Sequence, residues 1–405
     1  MDFIEISPDP PLPAYLSIPA DAKSLLPERC LSVTEFLQYK FPGSFHQAPH
    51  NHTGGTVWSD SPPQEIRVGL LLACTVPQWE TVKQLLLDVR QLASAPRSIN
   101  RVAITSSEVL PNHLPVWVLS FWDHLSEAYG IYLSWRKCLD WADALCTQNS
   151  ANRHCAVTEL GSLIHRVRWS GYLDGKRRDR CVNDIFDLLS NGELDSGQIN
   201  DLLEFLEMQL AEVPGNQYLV APSELSTLIL YSHQNHSKPA YQKQLWQQSV
   251  EEELLQRHRS AVVSIAWISI GGRGHWVSYT INPITSTICY GDSLSLPIPV
   301  DLHNALRWWL CDLRERLGEA PSAPTFKPIA VTCQTDGFSC GLLAANSLLH
   351  HLLPHRFPLI QGNPPSVKTY RIECTVEILK LSIKVVSFLD HRACTLAHLG
   401  HTPGD

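Results

Sequence analysis

His275, Asp292, Gln334 and Cys340 occur in that order in the last third of the chain, within the segments GHWVSYTINP, YGDSLSLP and QTDGFSCGLLAANSLL. Thiol-based acyl transfer needs a sulfur nucleophile, an imidazole base, a carboxylate to orient the base and an amide donor for the developing oxyanion. The four residues supply one of each, and the set reads as that of a cysteine peptidase. Other clusters are less complete. His350, His351 and His355 have near-ligand spacing, but no cysteine or carboxylate completes a metal set. Gly271-Gly272-Arg273-Gly274 lacks the strand-to-helix setting of a phosphate loop. No metal and no cofactor is expected.

The elements that must position these groups can be read from periodicity. A lone cysteine at a helix start is usually a small buried hydrophobe, so the setting of Cys340 matters. After the polar turn Thr335-Asp336-Gly337, the run Cys340 to Leu349 has the apolar spacing of a buried helix that ends near Pro354. Cys340 then sits at a helix N-terminus, where free N–H groups and the dipole favour thiolate. Gly341 leaves room beside the sulfur for a substrate backbone. Ala261 to Ile270 is a β-rich run and Trp276 to Ile281 alternates, which predicts a hairpin with 271–274 as its loop and His275 opening the second strand. Ser286 to Tyr290 reads as the next strand, with Asp292 just past its end, and Lys327 to Thr332 as another, leading to Gln334. Neighbouring strand ends can set imidazole beside carboxylate, as triad logic requires. Cys333, on the last of these predicted strands, is expected to be buried and is a poor rival nucleophile.

These segments resemble the Ulp1/SENP-like cysteine peptidases (peptidase family C48), which process ubiquitin-like proteins. The likeness lies in the pair His275-Trp276, the hydrophobic-x-Asp-Ser-Leu motif at Tyr290 to Leu294, and Gln-x5-Cys-Gly at Gln334 to Gly341. Upstream, Glu193 to Ile199 looks like the family's Trp-Leu-x-Asp-x-x-Ile element, with Glu193 in place of Trp and Ser196 in place of Asp. The resemblance implies an α+β, papain-like-superfamily domain with a central, mostly antiparallel sheet and flanking helices. It implies cleavage after the C-terminal Gly-Gly of a ubiquitin-like protein, in maturation or deconjugation. The catalytic set would be His275, Asp292, Gln334 and Cys340, with Trp276, Gly341 and Asp195 contacting substrate. Trp276 would line the narrow passage for the diglycine tail. Two alternatives stand beside this: a protease of a mobile element with another protein target, and a non-catalytic module that binds ubiquitin-like proteins.

Length and composition point to more than one region. The chain has 405 residues, 44% of them hydrophobic, which favours two domains or one domain with a large extension. We divide it into residues 1–64, largely loop with a short helix; 65–180, a mainly helical accessory region; and 181–405, the peptidase-like domain. A net charge of −8 gives no broad footprint for nucleic acid, and the basic stretch Lys176 to Arg180 reads as a solvated loop. Twelve scattered cysteines without a C-x-x-C pair, and a start that does not look like a secretory leader, fit a reduced intracellular setting, nucleus or cytoplasm. No run of 18 apolar residues is present, so no membrane span is expected.

The first half carries organisation rather than chemistry. Phe41 to Pro63 is rich in turn formers. Trp79 to Ala93 reads as a helix, and Asn112 to Gln148 as one or two more, bearing Trp117, Phe121, Trp122, Tyr129, Tyr132, Trp135 and Trp141. Such an aromatic stripe is more often core than binding surface. Beside a domain of the kind above, the region looks like the accessory parts of mobile-element-associated fungal proteases.

Overall fold

The computed structural model describes residues 16–41, 57–59, 68–71, 76–92, 103–105, 114–145, 151–172, 181–236, 245–256, 259–320 and 322–399. The basic stretch at 176–180, most of the turn-rich segment 41–63 and the start of the chain lie outside them. Two compact units emerge, Met1–Lys137 with Arg168–Ser170, and Cys138–Val167 with Gly171–Asp405. Among the described residues, no helix is long and apolar enough to cross a membrane.

In the first unit, short helices α1 (Ala20–Lys23) and α2 (Val33–Phe36) precede β1 (Val57–Ser59), α3 (Val68–Leu71), α4 (Trp79–Leu92), β2 (Ala103–Thr105) and β3 (Leu114–Pro115). The long α5 (Trp117–Asp143) follows, grouped with the second unit from Cys138 onward. The three strands pair antiparallel in the order β1-β2-β3. Ser32 and Glu35 form a reciprocal capping box that starts α2, and this fixes Phe36 in the core. Phe36 stacks on Trp169 with ring centroids 4.0 Å apart and meets Tyr132 edge-on. Phe121, Trp122 and Trp135 are buried, so the aromatic stripe of α5 serves as core here.

The second unit is α+β. Its elements are α6 (Ala151–Ile164), α7 (Ile185–Leu188), α8 (Ser196–Ala211), β4 (Tyr218–Val220), α9 (Glu224–Asn235), α10 (Leu245–Gln256), β5 (Ala261–Ile270), β6 (Arg273–Asn282), β7 (Thr287–Gly291), α11 (Val300–Arg316), β8 (Thr325–Pro328), α12 (Cys340–Leu352) and α13 (Pro364–Leu399). The sheet runs β4-β5-β6-β7-β8. Its three central strands are antiparallel, and both edge strands join in parallel. β6 is buried without a break from His275 to Ile281, the mark of a strand covered on both faces. Val277, Tyr279 and Ile281 join Leu225 and Ile229 of α9 and Leu306 and Trp309 of α11 in one core. On the other face Ser278 meets α12, where its hydroxyl accepts from Ser347 at 2.7 Å. A buried chain of polar groups ties α9, α10 and α11 together. Ser232 donates to Gln247 at 2.6 Å, Gln247 to Glu251 at 3.3 Å, and Trp309 and Arg316 also donate to Glu251.

Two elements differ from the sequence expectation in extent. The hairpin loop is only Gly271-Gly272, with φ of 58° and 81°, and β6 begins at Arg273, so His275 is its third residue. Two left-handed residues make the tight turn whose twist suits a hairpin, and glycine takes that conformation without steric penalty. The strand expected over Lys327 to Thr332 is instead Thr325–Pro328. β7 ends at Gly291 and the chain turns through Ser295 at φ 56°, so beyond Ile329, which still bonds Tyr290 O at 2.7 Å, no straight partner remains.

Gly291 is the tightest point of this crossing. A Cβ there would lie 2.6 Å from both Ser278 Oγ and Val331 Cγ2. Gly291→Ala should therefore overpack the end of β7 and lower the urea midpoint by an amount equivalent to about 1–3 kcal/mol. An unchanged midpoint would show that the neighbours give way freely.

Candidate active site

Register brings His275 and Asp292 together. Ile268 faces His275 on one side of β6, and Ser278 faces Gly291 on the other, so Asp292 leaves β7 alongside the start of β6. His275 Nε2 lies 2.6 Å from Asp292 Oδ1, with both side chains buried. The same Oδ1 accepts from Leu294 N at 2.7 Å, a short turn that fixes the carboxylate. With Nε2 committed to Asp292, Nδ1 is the ring nitrogen left for a second partner. Cys340 also acts on the ring, through a side-chain hydrogen bond and its charge.

Burial alone lowers the His275 pKa. Hydrogen bonds to Asp292 and Cys340, and the negative charges of both, outweigh it and push the value up to about 9. The ring thus binds a proton more tightly than an ordinary imidazole, and once protonated it stabilises negative charge on an adjacent sulfur. Tyr290, two residues before Asp292, feels the same carboxylate. Burial first, then the Asp292 charge, pushes its phenol up.

Cys340 is the first residue of α12, buried at 5% exposure. Ser339 makes no side-chain cap, so the first-turn N–H groups keep their donor capacity beside the sulfur. The turn before the helix is built around Asp336. Its Oδ1 accepts from Phe338 N at 3.0 Å and Ser339 N at 2.9 Å, and its Oδ2 from Ser339 Oγ at 2.6 Å. Gln334 sits on the same loop, held from two sides. Ser293 Oγ donates to Gln334 Oε1 at 3.0 Å, Gln334 N donates to Ser293 O at 2.8 Å, and Gln334 Nε2 donates to Asp336 O at 2.7 Å. Adjacent residues Asp292 and Ser293 therefore orient the imidazole and the amide respectively.

A cavity of about 500 Å³ opens on Cys340, lined also by Glu193, Asp195, Glu224, Trp267 and Trp276. Trp276 is its braced wall, with the indole N–H donating to Leu194 O at 2.7 Å. Asp195 is exposed and caps α8, exchanging bonds with Gln198. Gly341 is closely packed on its Cβ side. A Cβ there would lie 2.6 Å from Ile199 Cδ1 and 3.1 Å from Trp276 Cδ1, so the space beside it is filled by the protein's own side chains. Cys333 is exposed on the loop rather than buried on a strand, because β8 ends before it.

Sequence reasoning passed over Ser293 and Asp336. Ser293 lay inside a quoted motif, and Asp336 opened a turn that an aspartate side chain commonly organises. Arg371, buried behind the Cys340 turn, left no local signal at all.

No protein-family model matches the sequence, and no curated protein matches it. Among solved structures, the chain is similar to SUMO protease Ulp1 with its catalytic cysteine oxidised to a sulfinic acid, at 15% identity over 56% of this chain and 95% of that one, with a TM-score of 0.41. It is similar to the C-terminal Ulp1 protease domain in complex with Smt3, the yeast orthologue of SUMO, at 16% identity over 58% and 96%, TM-score 0.39. It is also similar to the Ulp1-like SUMO protease catalytic domain of Chaetomium thermophilum, at 15% identity over 60% and 88%, TM-score 0.39.

The raised His275 value has a consequence for stability. A group whose folded pKa lies above its unfolded value of 6.5 contributes fully below pH 6.5 and loses that contribution as pH rises through about 9. Wild type should therefore lose stability relative to His275→Gln across that window, seen as converging urea midpoints. A constant gap from about pH 6 to about pH 10 would show that the ring gains no proton affinity on folding.

Proposed function

We propose that the second unit is a thiol peptidase, with Cys340 as nucleophile, His275 as acid and base, Asp292 as orienting carboxylate and Gln334 as oxyanion donor. The observation that carries this is the buried His275–Asp292 pair at 2.6 Å, set against a cysteine at the first turn of a helix. The chemistry follows from the groups. The Cys340 proton passes to His275, and the sulfur adds to the substrate carbonyl carbon. The negative charge that develops on the carbonyl oxygen is met by the Cys340 backbone N–H and an amide hydrogen of Gln334. As the intermediate collapses, the C–N bond breaks and His275 gives its proton to the departing amine. A water molecule, deprotonated by the same ring, then hydrolyses the thioester and restores the thiol.

For the substrate we propose the C-terminal diglycine tail of a ubiquitin-like protein, free or conjugated. The His275-Trp276 pair and the motifs around Asp292 and Cys340 support it, as does Trp276 standing as a wall of the cavity that holds Cys340. One observation favours a second reading, an endopeptidase with another protein target. Glu193, Asp195 and Glu224 line the cavity, and no lysine or arginine is among its lining residues. A basic side chain near the scissile bond would match that charge.

Cys340→Ala and His275→Ala should each abolish turnover, and Gln334→Ala should lower it by about 10²–10³-fold with little change in KM, as loss of one oxyanion donor does. Turnover that survives Cys340→Ala would overturn the proposal. Substrates ending in Gly-Gly, Ala-Gly or Val-Gly before the scissile bond separate the two targets. Cleavage of Gly-Gly alone supports a ubiquitin-like tail, because a side chain cannot pass the Trp276 wall. Similar rates on all three, with a gain from a nearby lysine that Glu193→Gln removes, support the endopeptidase.

A further inference from the structure

Arg371 on α13 is a fully buried guanidinium, at 0% exposure, whose hydrogen bonds among the described residues all go to main-chain carbonyls. Nη1 donates to Asp187 O at 2.9 Å, and Nη2 donates to Gly192 O at 2.7 Å and Phe338 O at 3.2 Å. The guanidinium carbon also lies 5.4 Å from the centre of the Phe338 ring. Burying a cation costs several kcal/mol unless its donors are matched; here both terminal nitrogens are matched while Nε is left without a hydrogen bond among the described residues, and a rigid planar fork holds its carbonyl partners in fixed directions.

The three carbonyls belong to segments that frame the reactive sulfur. Phe338 lies two residues before Cys340. Gly192 leads into Glu193, Leu194 and Asp195, which line the cavity, and Leu194 is the residue that braces Trp276. Asp187 lies in α7, and its carboxylate accepts from Gln198 at 3.3 Å on the helix that carries Ile199 beneath Gly341. A single side chain thus joins the nucleophile's turn to the wall that faces it.

We propose that Arg371 is a positioning residue for Cys340, fixing the Phe338–Cys340 turn against the Gly192–Asp195 wall and placing a positive charge behind the sulfur. The proposal rests on reading Cys340 as the nucleophile. Other charged or titratable groups face this region. His275 comes from β6 with Asp292 behind it, Asp336 from the preceding loop, Asp187 from α7, Cys374 from α13, and Glu193, Asp195 and Glu224 from the cavity wall. Burial lowers the Arg371 pKa against the opposing charges of Asp336 and Asp187. A guanidinium stays charged even so.

The test is the pH dependence of Cys340 alkylation by iodoacetamide in the full chain, followed on the Cys340 peptide by mass spectrometry. This readout needs no substrate, and general loss of stability does not move its midpoint. Wild type should react at neutral pH with a midpoint below that of an ordinary thiol. Arg371→Met should raise the midpoint by about one unit, a roughly tenfold loss of rate on the acidic side. Arg371→Lys keeps the charge without the fork, and should react a few-fold more slowly with a smaller displacement of the midpoint. If wild-type Cys340 reacts only as an ordinary thiol, the nucleophile reading fails and this proposal with it. A reactive wild type whose profile is unchanged in Arg371→Met overturns the Arg371 role alone. Should Arg371→Met not fold, an Arg371→Lys profile identical to wild type overturns it equally.

Discussion

Everything at the candidate site hangs on the register of β6 between β5 and β7. Side chains alternate across a strand, so a slip of one residue would turn His275 and Trp276 each to the other face of the sheet and part the imidazole from Asp292. The two-glycine turn fixes the register on one side, pairing Ile270 with Arg273. On the other, the β6–β7 pairing ends at Ser278 and Gly291, just where the chain must turn away to present a carboxylate. The burial of β6 on both faces adds a hydrophobic penalty to any slip, because Val277, Tyr279 and Ile281 would leave their core.

The loop that delivers Cys340 has no sheet to hold it and is held by side chains instead. Asp336 gathers three donors of the turn, and Ser293 reaches across from the end of β7 to grip Gln334. Each of these bonds satisfies a group that burial would otherwise leave unpaired. Because the Ser293 contacts follow directly on Asp292, a displacement of the β7 end would disturb imidazole, amide and thiol together. His275, Asp292 and Gln334 are thus mechanically one assembly.

The central strands and α12 were legible because their signals are local. Alternation marked β6, a continuous apolar run marked β5, and the helical spacing after Cys340 marked α12. The parallel edge strands were less legible: β8 was expected too far along the chain, at Lys327 to Thr332, and β4 is only three residues long, because both take their place from partners distant in the chain. At the site, His275, Asp292 and Cys340 were readable as types in order, and the structure brings these three together. The close packing at Gly341 was not legible, because Ile199, which a side chain there would meet, lies far upstream and nothing in the sequence ties the two. Arg371 was illegible for the same reason, as its partners are backbone carbonyls that no side-chain pattern records.

The brace on Trp276 bears on how the cavity receives a guest. Its indole N–H is spent on Leu194 O, and a side chain at position 341 would press on the ring edge. A wall held by that bond does not swing freely, so under the proposed function little of the ordering on binding falls on the protein. It falls on the guest, which must arrive extended or surrender its own freedom on entry. Discrimination then acts on the pliancy of the segment offered as much as on its sequence. A loose terminus would enter at small entropic loss, and the same residues locked in a helix or a strand would be turned away.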